Sequence, residues 1–156
     1  MKQIPLTQGK FAIIDDKDFE YLNQWKWTYD GRYAIRSVAF TVGKRSKIYM
    51  HRIILNTPVG MDTDHIDMNR LNNQRLNLRI CTRTQNMMNR GKQKNNTTEF
   101  KGVRLLRGHT PQAQILINGK NTHIGTFPDK ISAAKAYDKV AREYYGEYAK
   151  TNFTEK

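Results

Sequence analysis

The stretch of the chain that most restricts its fold is GKQKNNTTE at residues 91–99, which contains no apolar residue. Such a stretch contributes nothing to a hydrophobic core, so we expect a flexible linker here with a separate module on each side. Because the chain has 156 residues, each module lies near the smallest size that buries a self-sufficient core. The sequence therefore predicts a first module at residues 1–90 and a second at residues 100–156.

The chain carries a formal net charge of +13 at pH 7. Lys and Arg outnumber Asp and Glu in residues 1–50, 51–90 and 100–156 alike, so the excess does not belong to one tail. A compact protein with this imbalance repels itself unless a polyanion binds it, which makes nucleic acid the expected partner. An anionic membrane is the alternative partner, but the sequence contains no polybasic amphipathic helix and no apolar run of membrane-spanning length.

The opening residues MKQIPLTQGK lack the apolar core of a signal peptide. Cys81 is the only cysteine, which excludes an internal disulfide and any zinc site built from cysteine pairs. We therefore expect an intracellular protein.

The first fifty residues predict a small, mostly β region. FAIID at 11–15 is typical of a strand, and a helical turn is expected at 18–25. KWTY and YAIRSV flank the Asp30-Gly31 dipeptide, which is a good hairpin signal. A second hairpin is expected to link residues 39–42 with 47–51 across Gly43.

Residues 64–86, DHIDMNRLNNQRLNLRICTRTQN, combine the groups that hydrolysis of a phosphodiester requires. His65, with an ordinary pKa of about 6.5, could accept the proton of the attacking water. Asp64 offers a hard oxygen ligand for Mg²⁺ or another divalent ion such as Mn²⁺. Asn77 is placed to accept a hydrogen bond from Nδ1 of His65, which would leave Nε2 as the base. Since neighbouring strand residues point to opposite faces, Asp64 and His65 share a site only if the strand ends, twists or bulges there.

TRTQ at residues 82–85 has the form of a capping box and predicts a helix over 83–90. Asn86, Asn89 and Arg90 would then lie on one face of that helix. This face would supply a second metal ligand and a phosphate clamp.

Other residues of this region have simpler interpretations. Asn69, Asn72 and Asn73 are expected to be turn residues. His51 is an alternative ligand, but on the predicted strand YMHRIIL a packed or cross-strand role is favoured. A calcium loop is excluded because DTDHID lacks the glycine and the bidentate glutamate that such a loop requires. A lone Asp-His pair would be taken as a solvated loop pair, and it is the spaced set of four residues that favours a site.

The run YMHRIILN…DTDHIDMNRLNNQRLNLRICTRTQNMMNR at residues 49–90 resembles the HNH endonucleases of the phage and intron-homing type. The resemblance implies a ββα-metal fold, with Asp64 and Asn86 as metal ligands, His65 as general base and Asn77 as the residue that orients it. Many members carry histidine at the last position, and asparagine is similar to the homing-type subgroup. The resemblance also implies hydrolysis of phosphodiester bonds in duplex DNA, which leaves a 3′-hydroxyl and a 5′-phosphate. It implies an intracellular location, in phage or bacterial host cytoplasm.

The second module predicts three strands in FKGVRLL, AQILING and THIGTF, followed by one helix that Gly146 ends. The apolar residues of that helix recur every three or four positions: Ile131, Ala134, Tyr137, Val140, Ala141 and Tyr144. Residues 100–128 contain four basic residues and no acidic one, whereas residues 129–147 contain four of each. The sheet is therefore expected to carry the positive surface, with the helix packed behind it.

FKGVR, IGTF, AAKAYDKVAREYYG and AKTNF also resemble the ethylene-response-factor (apetala-two) DNA-binding domain, over residues 100–153. That family lays a three-stranded sheet into the DNA major groove, which nominates Lys101 and Arg104, with Arg107 and Gln114 as weaker candidates. The chain differs from the plant domains at HTPQAQI, residues 109–115, where it has no tryptophan before the second strand.

Together these features predict an α+β protein that is a metal-dependent DNA endonuclease. Double-stranded DNA is the expected partner, without a membrane or a small-molecule cofactor, and the oligomeric state stays open. The alternative is a DNA-binding transcriptional regulator with a vestigial nuclease module.

Overall fold

The buried apolar residues form two separate clusters, one within residues 4–78 and one within 103–141. The computed structural model describes residues 1–41, 44–107 and 109–154, and only the backbone of Phe40 and Lys44. The chain divides into two compact units, Met1–Asn86 and Met87–Lys156. The first unit therefore ends four residues before the boundary predicted at residue 90.

The first unit begins with a two-stranded antiparallel sheet, β1 (Lys2–Pro5) and β2 (Phe11–Ile14), followed by helix α1 (Asp16–Leu22). A three-stranded antiparallel sheet follows, in the order β3 (Thr28–Tyr29), β4 (Ala34–Thr41) and β5 (Lys44–Tyr49). Both predicted hairpins are present, but the second pairs residues 35–41 with 44–49, and not 39–42 with 47–51, because residues 50 and 51 are helical. The turn of the second, at Val42 and Gly43, lies outside the described residues.

Residues 50–55 form helix α2 (Met50–Leu55), not the strand expected for YMHRIIL. Met50 and Ile54 are buried and lie four positions apart, so they share one helix face, which packs into the first core. The apolar run MHRIIL is short enough to suit a strand or a helix, and tertiary packing selects the helix here. The helix ends at Asn56, which adopts a left-handed conformation with φ of 48°.

Strands β6 (Asp62–His65) and β7 (Leu78–Cys81) form an antiparallel pair, and helix α3 (Arg83–Met88) follows directly. The capping box forms as predicted, because Gln85 N donates to Thr82 Oγ1 (3.2 Å) and Thr82 N donates to Gln85 Oε1 (2.8 Å). This confirms two strands followed by a helix around the candidate residues. The helix stops at Met88, two residues before the predicted end.

The second unit is a three-stranded antiparallel sheet with one helix packed on it, as predicted. The strand order is β10 (Lys120–Thr126), β9 (Thr110–Ile117), β8 (Val103–Leu106), and the helix is α4 (Lys130–Tyr145). Alternate residues of β9, including Ala113 and Ile115, face the helix and are buried with it. With the first unit, this confirms an α+β protein.

The buried face of α4 agrees with the predicted one at Ala134, Tyr137 and Ala141 and differs from it at both ends of the helix. Ile131 and Tyr144 are 53% and 60% exposed. The side chains that are buried are Ala133, Ala134, Tyr137, Asp138 and Ala141. Three alanines allow the helix to approach the sheet closely, so the small residues, rather than the largest apolar ones, define the packed face.

The predicted linker at residues 91–99 contains no helix or strand, but its C-terminal part is packed in the second unit. Thr98 is buried and its hydroxyl donates to the carbonyl of Val103 (2.9 Å). Asn96 Nδ2 donates to the carbonyl of Phe100 (2.9 Å). A flexible linker over the whole range is therefore incorrect, because polar side chains fix this backbone where apolar ones are lacking. Among the described residues, no helix combines the length and apolarity needed to cross a bilayer.

Candidate active site

Asp64 and His65 lie at the end of strand β6, and both side chains are buried, with 6% and 4% exposure. In the register of the pair, Asp64 lies opposite Arg79 and His65 opposite Leu78. The strand ends at His65, and the amide of the next residue, Ile66, donates to the carbonyl of Asn77 (2.9 Å). The strand end is thus one of the conditions under which two neighbouring residues can serve one site.

The imidazole of His65 is held by Asn73. Nε2 of His65 lies 3.2 Å from Oδ1 of Asn73. The amide of Asn73 is fully buried, and its Nδ2 donates to the carbonyl of Leu71 (3.3 Å), which turns Oδ1 toward the ring. An acceptor against Nε2 places the proton there and leaves the lone pair of the neutral ring on Nδ1.

The surroundings of His65 favour the uncharged imidazole. Burial lowers its pKa below the ordinary value, and the positive charge of Arg70 acts in the same direction. The hydrogen bond to Asn73 and the carboxylates of Asp67 and Asp64 oppose this change only in part. A neutral imidazole with its lone pair on Nδ1 is the form that a general base requires.

Asn77 does not make the expected contact with Nδ1 of His65. Its Oδ1 accepts from the amide of Asp67 (3.0 Å), and its Nδ2 donates to Asp67 Oδ1 (2.9 Å) and to the carbonyl of Asn72 (2.8 Å). Asn77 therefore closes the loop of residues 66–77, here called the site loop. Because Asn73 lies against Nε2, a base role for His65 would use Nδ1 and not the expected Nε2.

The other asparagines of the site loop divide into two groups. Asn69 and Asn72 make short-range bonds within the loop, as turn residues do, which confirms their predicted role. Asn73 was expected to be a turn residue as well, but it contacts His65. Its backbone amide also donates to the carbonyl of Ile13 (2.7 Å), so strand β2 fixes its position. No local signal in the sequence distinguishes Asn73 from its neighbours.

The two proposed metal ligands each have a protein partner. Oδ2 of Asp64 accepts from Nε (3.0 Å) and Nη2 (2.8 Å) of Arg79. Nδ2 of Asn86 donates to Oδ2 of Asp62 (2.8 Å), which also pairs with Arg83 (3.2 Å). Because its amide nitrogen is turned toward Asp62, Oδ1 is the atom with which Asn86 would bind an ion.

Asp62 is a residue of the site that the sequence reasoning missed. It lies two positions before Asp64, so their side chains project from the same face of β6. The hydrogen bond from Asn86 lowers the pKa of its carboxyl below the ordinary value, and Arg83 adds to that effect. The alternating carboxylates of DTD, residues 62–64, were the feature of the sequence that could have predicted a role for Asp62.

The donor set suits a hard divalent ion. It consists of a carboxylate and an amide oxygen, and within the described part of the chain no group of three or more His, Cys, Asp and Glu residues could hold an ion. Mg²⁺ usually keeps several waters and needs one or two protein ligands, whereas a zinc site needs three or four. The residues present therefore fit Mg²⁺ or a similar ion.

Aromatic rings surround the imidazole of His65. The ring centroid of His51 lies 5.1 Å from that of His65, and the centroid of Tyr33 lies 6.1 Å from it. Tyr33 also contacts His51 (5.0 Å) and Tyr49 (5.7 Å). His51 thus has the packed role that was favoured for it, on helix α2 and not on a strand.

Residues 49–88 match the family described as HNH endonuclease, and this range contains the predicted catalytic and metal-binding residues Asp64, His65, Asn77 and Asn86. An uncharacterized HNH endonuclease of Acanthamoeba polyphaga mimivirus is 32% identical over 151 residues, covering 93% of this chain and 76% of the relative. The chain belongs to the HNH endonuclease family. It is accordingly a DNA endonuclease. No solved structure matches it.

The helix face expected to carry a phosphate clamp in this HNH endonuclease does not form. Helix α3 ends at Met88, so Asn89 and Arg90 lie beyond it and do not continue the face of Asn86. Asn89 is buried, and Arg90 is exposed, within the second unit. The correction follows from the early helix end, because the predicted face required two further helical residues.

Lys101 was expected on the sheet surface of the second unit, but it precedes β8 and its ammonium is turned inward. Nζ donates to the carbonyl of Met88 (2.6 Å) and lies 5.9 Å from the ring centroid of Tyr137. Burial lowers the pKa of Lys101 to about 8. Lys101 therefore serves the packing of this unit, and a phosphate contact from the sheet is not supported.

Arg104 and Gln114 project from the outer face of the sheet, opposite the helix. Nε and Nη2 of Arg104 donate to Oε1 of Gln112 (3.3 and 3.2 Å). Nε2 of Gln112 in turn donates to Oγ1 of Thr126 (3.3 Å). A polar row thus crosses all three strands. Arg107 is exposed in the turn after β8, with φ of 48°. The sequence analysis did not nominate Gln112 for this surface. Its alternation with Gln114 in PQAQI, residues 111–115, could have placed both side chains on one face of the strand.

Proposed function

We propose that this protein is a metal-dependent endonuclease of the homing or phage type that hydrolyses phosphodiester bonds in duplex DNA. His65 is the general base, and Asp64 and Asn86 hold one divalent ion. The observation that carries the proposal is the buried His65, whose Nε2 faces Asn73 and which follows the carboxylate of Asp64 in the chain.

In this mechanism Nδ1 of His65 takes a proton from the attacking water as its oxygen bonds to phosphorus. The leaving 3′-oxygen departs with the bonding electron pair and takes up a proton, which gives a 3′-hydroxyl and a 5′-phosphate. The carboxylates of Asp67 and Asp64 stabilise the imidazolium that forms, since both raise the pKa of His65. Asn73 keeps the ring in one tautomer and orientation throughout.

A divalent ion would be bound by a carboxylate oxygen of Asp64 and by Oδ1 of Asn86. When bound, it neutralises charge on the phosphate and on the leaving oxygen. Nε (3.0 Å) and Nη2 (2.8 Å) of Arg79 donate to Oδ2 of Asp64 and would orient this carboxylate toward the ion. Asp62 holds the Asn86 amide in the orientation that ion binding requires.

The second unit is proposed to hold the enzyme on duplex DNA in the manner of an ethylene-response-factor domain. Its sheet and packed helix suit that role, and no acidic residue occurs in residues 100–128. Arg104 and Gln114 on the outer face would contact bases or phosphates, and Arg107 a phosphate. Gln112 joins them because it lies on the same face.

The experiment is cleavage of supercoiled plasmid with Mg²⁺ or Mn²⁺. His65→Ala and Asp64→Ala are each expected to lower the rate by about 10²-fold or more, as loss of a general base or a metal ligand does. Asn73→Ala should lower it while Asn73→Asp, which retains an acceptor, recovers part of the loss. Asn23→Ala, at the end of α1 and outside the site, is the control.

Cleavage that survives both His65→Ala and Asp64→Ala would refute the site assignment. Tight DNA binding without cleavage under any divalent ion would favour the transcriptional regulator with a vestigial nuclease.

A further inference from the structure

The arginines around the active site are not equivalent. Residues 51–86 contain five of them, and four are engaged in bonds that fix the fold or the site. Arg52 donates to the carbonyls of residues 57, 58 and 61. The other three pair with carboxylates: Arg75 with Asp18, Arg79 with Asp64, and Arg83 with Asp62. Arg70 is the exception, since among the described residues no carboxylate pairs with it.

Arg70 is placed by an aromatic ring. Its guanidinium carbon lies 5.2 Å from the ring centroid of Tyr33, a cation–π distance, and its side chain is exposed. Tyr33 is itself half-buried and packs against His51 and His65, so its ring cannot move freely. The guanidinium is thereby held over a ring that packs against His65, and its charge reaches that imidazole and lowers its pKa.

The backbone that carries Arg70 is fixed as well. Arg70 belongs to the site loop, where Asp67 accepts from Asn69 N (2.7 Å), Asn72 Nδ2 (2.8 Å) and Asn77 Nδ2 (2.9 Å). These bonds lie on both sides of Arg70 in the chain. The loop and the ring together preorganise a positive charge beside His65, which is the arrangement that stabilises charge developing on a phosphate.

We propose that Arg70 binds the scissile phosphate and that its guanidinium donates two parallel N–H···O hydrogen bonds to the non-bridging oxygens. Tyr33 is the residue that positions Arg70. Stacking on a ring leaves the N–H edges of a guanidinium open to a phosphate. This inference rests on the proposed function, in which the phosphate meets the protein at His65. It supplies the clamp that the sequence led us to expect at Arg90.

The first test is DNA binding by the full-length protein without divalent ions, so that it does not depend on cleavage. A fluorescent duplex is titrated at several salt concentrations with wild type, Arg70→Ala, Arg70→Lys and Lys17→Ala. Arg70→Ala should reduce the slope of log affinity against log salt by about 1, as loss of one phosphate contact does. Lys17→Ala removes the same charge from the exposed face of α1 and should leave the slope unchanged. A wild-type slope for Arg70→Ala would overturn the proposal.

The second test is single-turnover cleavage at saturating protein with Mg²⁺ or Mn²⁺. Arg70→Ala should lower the rate by about 10²-fold, and Arg70→Lys by less, because lysine keeps the charge without the planar donors. Added guanidinium ion at millimolar concentration should restore part of the rate of Arg70→Ala and none of His65→Ala. An unchanged rate for Arg70→Ala would overturn the catalytic contact. If the wild type itself does not cleave, the proposed function fails, and the salt slope alone decides whether Arg70 binds phosphate.

Tyr33 is tested by keeping or removing its ring. Tyr33→Phe retains the ring face and should cleave at nearly the wild-type rate, whereas Tyr33→Leu should lose part of the rate that Arg70→Ala loses. Because Tyr33 acts through Arg70, adding Tyr33→Leu to Arg70→Ala should cost little more. Full additivity of the two losses would contradict the positioning role. Fluorescence of Trp25 and Trp27 verifies that each variant is folded, since both lie in the first unit.

Discussion

His51 is a titratable residue that the structure keeps uncharged. Its side chain is 6% exposed, and within the described residues its buried Nδ1 has no hydrogen-bond partner. Burial, and then the charges of His65 and Arg52, lower its pKa to about 3. Because the folded chain holds the pKa of His51 well below that of an unfolded histidine, His51 makes the stability of the first unit dependent on pH.

The expected dependence has a definite sign. In the unfolded chain the pKa of a histidine is about 6.5, so between that pH and about 3 the unfolded state binds a proton that the folded state does not. The free energy of unfolding should therefore fall as pH falls across this range, by about 1.4 kcal/mol per pH unit from this group. His51→Phe should weaken the dependence. Urea unfolding followed by tryptophan fluorescence measures it, and parallel curves for the two proteins would contradict the assignment.

The residue types of the active site could be predicted from the sequence, but not all of their contacts. Asp64, His65 and Asn86 lie in a short segment. The capacity of each side chain to bind a metal ion or accept a proton follows from its residue type, without knowledge of the backbone path. Which asparagine contacts His65 depends on the path of the site loop, and that path is fixed by Ile13, sixty residues away in the chain from Asn73. A contact between residues so far apart in the chain cannot be predicted from the local sequence pattern.

The second unit shows what decides which face of a helix packs against a sheet. Periodicity predicts helix α4 and its end at Gly146, and both are confirmed. The face it buries depends on the partner surface. Tyr137 packs against the backbone of Gly102, which has φ of +75°, so the helix is rotated to place this ring where only glycine leaves room for it.

Gly102→Ala is therefore expected to destabilise the second unit strongly. A Cβ at Gly102 would overlap ring atoms of Tyr137, whereas one at Gly119, with φ of +77°, would meet nothing within 4 Å. Both substitutions carry the same backbone cost, about 1 kcal/mol, so their difference isolates the clash. Gly102→Ala should cost about 1–3 kcal/mol more than Gly119→Ala. Thermal unfolding followed by circular dichroism gives the comparison, and equal losses would contradict the close packing.

Both units of the protein are basic. The first contains 14 Lys and Arg against 8 Asp and Glu, and the second contains 13 against 6. Distributed charge suits a protein that meets a polyanion with several surfaces, and it agrees with the proposal of a cutting unit and a binding unit. The separate cores provide the structural basis, since each cluster of buried residues lies within one unit.

A chain that ends at Gly91 should therefore fold and retain metal-dependent cutting, because it keeps the first core and helix α3 entire. It should bind duplex DNA about 10-fold more weakly or worse at 0.2 M salt, with a smaller salt slope, because it lacks the phosphate contacts proposed for the sheet. Full-length Arg104→Ala with Arg107→Ala should show a smaller loss of the same kind and an unchanged cleavage rate once DNA is saturated. Unchanged affinity in the shortened chain would refute the role given to the sheet, and loss of its native tryptophan fluorescence would refute the independence of the two cores.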